Sequence, residues 1–329
     1  MNTATRTALQ RMAAQKFPTD DAVRSAHSPA FTPPNTIDDR IVRLPELRPS
    51  TSRPRVRILV VAAVTAAVAI GGVTALHATA PVTVQTAASL LYTPLPATDT
   101  PAQVLGDLVT RATTQPPLPG TGPYNYVHTQ GWYLNTAQNT DGTVLSSSID
   151  PGDSQRWRSA DGSGRIAATG SGPAVAASGD YAPGKLSTGI VGSAGQSTAT
   201  LVSELIAENP DRDGSGWLSL AAELWSSQAV TPNLQSALLT ILAARTDLTL
   251  QGTVYDRLGR PGIAVGADDR HKTPALHHTA IFDPTTGTLL SWENVALESG
   301  GLPINAPATI AYTLWLASGF TLDTTSTPT

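Results

Sequence analysis

The sequence predicts an α+β fold: a single transmembrane helix followed by an extracytoplasmic antiparallel-sheet domain with three or four covering helices. Three observations predict it. Ile58–Leu76 is an uncharged apolar run of 19 residues. The middle of the remaining chain carries helical patterns with one apolar stripe each, which cover a core on one side only. On both sides of that block lie β-prone runs joined by tight turns. Strands, then helices, then strands indicate α+β rather than alternating βαβ units.

The apolar run reads ILVVAAVTAAVAIGGVTAL and has two threonines as its only polar side chains. With the residue that follows it gives a span over 58–77, enough at 1.5 Å per residue to cross about 30 Å of hydrocarbon. Arg53, Arg55 and Arg57 precede it, and no Lys or Arg follows until Arg111. The positive-inside bias therefore leaves residues 1–57 in the cytoplasm and sends 78–329 outside. Of the 21 Lys/Arg and 25 Asp/Glu, residues 1–57 hold ten and five, and the rest eleven and twenty. A cleaved signal peptide begins within the first residues, whereas this run begins at position 58, so an uncleaved signal anchor is the expectation.

Residues 1–57 read as a largely disordered arm. SPAFTPPNT and LRPSTSRPR are Pro-rich and extended, and the segment has too little apolar surface to offset its ordering entropy. Its functional reading is as a binding segment for a cytoplasmic protein. With His27 as its single histidine and no cysteine in the chain, a zinc-binding form of that idea is excluded. Residues 78–99 read as a linker.

The domain proper spans 100–320. Thr100-Pro101 offers an N-cap and a first-turn proline, and Val104, Leu105, Leu108, Val109 and Ala112 form one stripe. PPLPGTGP stops that helix. Tyr124–Leu134 is an aromatic strand, and 143–149, 155–160 and 165–169 are further strands. Residues 170–198 are Gly/Ser/Ala-rich and read as a long loop. Three helices follow, marked by Leu201–Ile206, Trp217–Trp225 and, after Thr231-Pro232, Leu234–Leu242. Strands return at 248–254, 263–265, 279–282, 288–292 and 309–320. Asp283-Pro-Thr-Thr-Gly287 has the Asp, Pro and Gly of a type I turn with a glycine bulge. TLDTTSTPT at 321–329 reads as a frayed tail.

Catalytic and ligand motifs are few. Asn209–Asp213 with Gly214 begins like a calcium loop, but the twelfth position is Leu220 where a bidentate Glu is required, so Asp213 is better read as a helix N-cap. Asp268, Asp269, His271, His277 and His278 cluster between two strands without metal-ligand spacing and read as a solvated loop. Ser154 lacks the G-x-S-x-G setting of a nucleophile elbow, and Ser163 and Ser215 sit in Asp-Gly-Ser-Gly turns. No phosphate-binding loop is present, and a net charge of -4 gives no basis for a nucleic-acid partner. No cofactor is expected. Tyr124, Tyr126 and Trp132 are the residues assigned to a ligand face on an uncovered side of the sheet, where a lipid-like ligand is the expectation.

Several blocks carry a family resemblance: VQTAASLL at 84–91, GPYNYVHTQGWY at 122–133, RWRSADGSGR at 156–165, the long block 231–265, and IFDPTTGTLL at 281–290. Their order resembles a family of actinobacterial single-pass membrane proteins of unknown function, often encoded beside extracytoplasmic-function sigma factors. The resemblance implies membrane location and a regulatory setting, and it carries no catalytic residues. The expectation is a membrane-anchored, sensor-like binding protein; the alternative is a cell-envelope enzyme of the hydrolase kind.

Overall fold

The computed structural model describes residues 57–60, 83–139, 144–171, 173–186, 197–208 and 211–329. Its centre is an antiparallel sheet. In chain order the strands are β1 Arg57–Val60, β2 Tyr124–Gln138, β3 Val144–Ser159, β4 Gly164–Gly170 and β5 Gly179–Tyr181, then β6 Thr249–Tyr255, β7 Pro261–Asp269, β8 Leu276–Phe282, β9 Leu289–Ala296 and β10 Ala308–Thr321. They lie side by side as β5-β4-β3-β2-β10-β9-β8-β7-β6. Two meanders are thus joined at one seam, where β10 pairs with β2 from Ala311–Tyr133 to Thr321–Tyr124. Beyond that seam β1 lies against Asn135–Gln138, on the same strand of the sheet.

The helices are α1 Pro101–Thr113, the single turn α2 Pro173–Ala176, α3 Thr198–Glu208, α4 Gly214–Ser227 and α5 Pro232–Ala243. Their ends follow from local chemistry. Thr100 and Gln103 form a capping box, Asp213 Oδ1 accepts from the Gly216 amide at 2.7 Å, and Thr231 caps α5 ahead of Pro232. In the β8–β9 turn, Asp283 Oδ1 accepts from the amides of Thr285 and Thr286, and Gly287 takes φ 73°. Those hydrogen bonds hold the Asp283 carboxyl below the usual carboxylate range despite burial.

One sheet face is covered by α1 and α3–α5. Leu105, Leu108, Trp217, Leu224, Leu238 and Leu242 pack there on Val127, Val265, Ala280, Phe282, Trp292 and Trp315. At about 1.5–3 kcal/mol per fully buried large side chain, this is the main source of stability. The other face has two separate covers. Residues 83–96 form a strap: the Val84 amide donates to Pro303 O, Thr93 and Thr253 exchange both backbone hydrogen bonds, and Leu90 and Tyr92 pack on Val254, Ala264 and Ile281. The C-terminal tail covers a second area, with the Trp157 indole donating to Ser326 O at 2.7 Å.

The structure bears out the α+β class, the antiparallel sheet and the helical cover, and differs in several particulars. Val144–Ser159 is one strand where two are expected. Pro151 breaks the sequence pattern, but it stands where β4 ends, with Gly152 opposite Gly170. Within 170–198, α2 and β5 return to the sheet edge. Of the expected linker 78–99, residues 83–96 belong to the domain. The tail is ordered because Asp323 Oδ1 accepts from the amides and hydroxyls of Thr325 and Ser326, which brings its carboxyl down to about 2. The span 58–77 lies outside the described residues except for Ile58–Val60, which belong to β1, and the arm 1–56 lies outside them entirely. Among the described residues no helix is long and apolar enough to cross a membrane.

Gly252 shows what the strap requires. Its φ is +123°, and a Cβ there would collide with the Thr93 carbonyl. Gly252→Ala should destabilise the protein by about 1–3 kcal/mol, read as a lower urea midpoint, and should speed proteolysis at 83–96. An unchanged midpoint would show that the strap is not held at this point.

Candidate functional site

Side chains alternate along a strand, so Val127 under the helices places Tyr124, Tyr126, His128, Gln130 and Trp132 on the opposite face. The three aromatic residues expected to form a ligand face do share it. They do not form one site. Tyr124 and Trp132 are eight residues apart, about 27 Å along the strand. Tyr126 is 1% exposed; its hydroxyl donates to Gln155 Oε1 at 3.0 Å and its ring lies 5.2 Å from Trp157. Burial pushes the Tyr126 phenol up, helped by the Asp153 carboxylate. Tyr126 is therefore a packing residue under the tail, and Tyr124 stands beside it at the end of the ladder.

Trp132 has different surroundings. It is half-buried and opposite Tyr312 in the β2–β10 seam, with the two rings parallel to 4° at 5.9 Å. The other side of Tyr312 is occupied by the Arg257 guanidinium, 4.5 Å from the ring centroid. Arg257 in turn grips Glu293 with Nε and Nη2 at 2.8 and 2.9 Å and donates to Ala88 O of the strap at 3.0 Å. Glu293 is 1% exposed. Its burial raises the carboxyl above the usual range, and Arg257 opposes that rise without cancelling it.

Between this stack and the tail lies an open patch. His128 Nε2 and Gln130 Nε2 both donate to Asp153, each at 2.9 Å. His128 and Asp153 keep 22% and 32% of their side-chain surface exposed. Gln155 borders them on β3, and the small residues Ala167 and Ala317 flank them on β4 and β10. A bulge between Trp315 and Ala317 bends β10 beside the patch. No family model, curated protein or solved structure matches the chain. The site is therefore read from its own chemistry.

The other candidate groups diverge. Asp268 faces the same way as His277 and bonds it at 2.8 Å, while Asp269 follows Val265 and Ala267 to the helix side. There it meets Lys272 at 3.0 Å and His278 at 3.6 Å. His278 stacks on Trp292 and shares a hydrogen bond with Asn294, and burial lowers its basicity. His271 is a surface residue 3.9 Å from Asp213. Among the described residues no three His, Asp or Glu side chains converge to hold a metal. Asp213 is engaged as the cap of α4, and the Ser163 and Ser215 hydroxyls donate to Asp161 and Asp213 within their own turns.

The alternation along β2 that puts the aromatic residues on this face puts His128 and Gln130 there too. Asp153 is not legible in this way, because it falls between the strands expected at 143–149 and 155–160, and Tyr312 is not, because its place comes from the register of the last strand with β2. Arg257 supplies a test of the stack. Arg257→Met leaves Glu293 buried without its partner and should cost about 3–5 kcal/mol near neutral pH. A carboxyl whose folded pKa lies above the unfolded one stabilises below the unfolded value, and that contribution is lost as pH rises through the folded pKa. The variant should thus recover towards wild type as pH falls and Glu293 protonates, which removes the unpaired buried charge. Urea denaturation from pH 4.5 to 8 checks this; a pH-independent deficit counts against a buried charge as the cause.

Proposed function

We propose that the chain is a single-pass membrane protein, anchored through 58–77 with residues 1–57 in the cytoplasm, whose outer domain binds a ligand on the open patch and serves a sensing or regulatory role without catalysis. The observation that carries the binding reading is the distribution of cover. Helices close one face, strap and tail close parts of the other, and the patch left between them is lined by a fixed aromatic stack and a hydrogen-bonded His128–Asp153–Gln130 group. The position of Trp132 on the open side of the sheet supports a ligand there. The polar floor argues against an acyl chain, which would leave its hydrogen-bonding groups unpaired.

One observation opposes the topology. Pairing of Arg57–Val60 with β2 puts Arg57 on the same side of the membrane as the sheet, whereas the positive-inside reading puts it on the other. The magnitudes favour the membrane. Four edge residues contribute a few hydrogen bonds at about 0.5–1.5 kcal/mol net each. The run 58–76 offers nine Val, Ile and Leu side chains, each contributing about 1.5–3 kcal/mol when removed from water. In a bilayer the strand is given up. The resemblance to sigma-factor-linked membrane proteins supports the same topology and a cytoplasmic protein as partner for the arm.

A second reading, an envelope hydrolase, is favoured by the His128–Asp153 pair. It needs a nucleophile within hydrogen-bond reach of the imidazole. Among the described residues the second ring nitrogen of His128 has no protein partner.

Two measurements test the proposal. Protease added to intact spheroplasts should digest the outer domain and spare the arm; the opposite pattern refutes the topology. A ligand present at about 100 times its Kd stabilises a fold by about 2.7 kcal/mol. Fractions of envelope extract should therefore raise the unfolding midpoint of the full chain, and Trp132→Ala should abolish the rise. If no fraction shifts the midpoint, the binding reading fails.

A further inference from the structure

We infer that the open patch recognises a neutral saccharide, an inference that rests on the binding reading above and specifies its ligand. The aromatic wall is fixed before any ligand arrives. Tyr312 is held between Arg257 on one side and Trp132 on the other, and Arg257 is itself held by Glu293. A wall of this kind suits the flat C–H face of a sugar ring, because burial of that face needs no side-chain reordering.

The polar groups next to the wall have a matching character. Gln130 and His128 follow Trp132 along β2 at about 7 and 14 Å. Both are oriented by Asp153, which accepts from each. Gln155 uses Oε1 to accept from Tyr126, which fixes its amide and leaves its NH2 group to the patch. The atoms without protein partners among the described residues are therefore mixed: the Gln155 amide donates, Gln130 Oε1 accepts, and His128 Nδ1, whose ring gives its Nε2 hydrogen to Asp153, accepts as well. A hydroxyl both donates and accepts, so a row of hydroxyls satisfies such a set. The small flanks Ala167 and Ala317 leave the floor approachable, and the Trp132 and Tyr126 rows are about 20 Å apart, room for more than one ring.

Other ligand classes fit less well. An anion meets the Asp153 carboxylate, while Arg257 is engaged by Glu293 and Arg165 by Asp180. A cation meets a carboxylate whose two oxygens already accept from His128 and Gln130. A lipid tail leaves the polar floor unsatisfied.

The test uses the full chain in nanodiscs of neutral phospholipid, screened against an array of neutral and acidic oligosaccharides, with calorimetric titration of the strongest binder. Saturable binding to a neutral oligosaccharide is expected. Asp153→Asn and Gln130→Ala, whose melting curves should stay near wild type, should each weaken it by about tenfold, as loss of a hydrogen-bonding group does. Trp132→Phe should retain part of the affinity and Trp132→Ala should lose it. Preference for acidic oligosaccharides, or for vesicles of anionic phospholipid, through the same residues would overturn the saccharide assignment while leaving the binding reading intact. Absence of any oligosaccharide binding would also overturn it; the envelope-extract midpoints then decide separately whether the patch binds anything.

Discussion

The Arg257 side chain joins the turn after β6 to the paired strands β9 and β10 and to the strap. From the turn after β6 it reaches Glu293 on β9, the ring of Tyr312 on β10 and the carbonyl of Ala88 in the strap. Each partner constrains another. Glu293 is tolerable in the interior because two charge-assisted hydrogen bonds offset part of its lost hydration. The Arg257 guanidinium lies over the ring of Tyr312. Trp132 lies parallel to that same ring, across the β2–β10 seam. The strap is therefore coupled, through one guanidinium, to the aromatic end of the open patch.

The geometry makes the two covers of the far face unequal. The strap combines backbone exchange at Thr93–Thr253, apolar packing through Leu90 and Tyr92, and the bond from Arg257. The tail depends on a self-capped turn at Asp323 and one indole bond from Trp157. Between them the sheet is left to water, and the residues there are neither a bare apolar surface nor a random polar one. They are planar groups held by each other.

Much of the fold is legible in the sequence because its signals are local. Thr100-Pro101, Asp213 and Thr231-Pro232 carry their capping chemistry within one turn, and Asp283–Gly287 carries its whole hairpin in five residues. What is not legible depends on partners far away in sequence. Residues 83–96 look like a linker since nothing in them announces the receiving face formed by Val254, Ala264 and Ile281. TLDTTSTPT looks frayed since its self-capping Asp323 resembles any polar tail. Pro151 and Gly152 hide a continuous strand, because only the termination of β4 beside them makes a proline acceptable there. The ligand face divides the same way. Alternation along β2 selects the correct face, while the burial of Tyr126 and the pairing of Trp132 with Tyr312 need the strand order.

The seam between β2 and β10 also governs how the chain can fold. Tyr133 and Thr313 share a hydrogen bond across 180 residues of sequence, so the first long strand of the domain waits for the last. Closing such a loop is entropically costly, and folding dominated by such contacts is slow. A chain emerging from its N-terminal side presents the edge of β2 unpaired until Thr321 has followed it. During that interval an open strand edge is a template for unwanted pairing. The last strand to be made is the one that closes it.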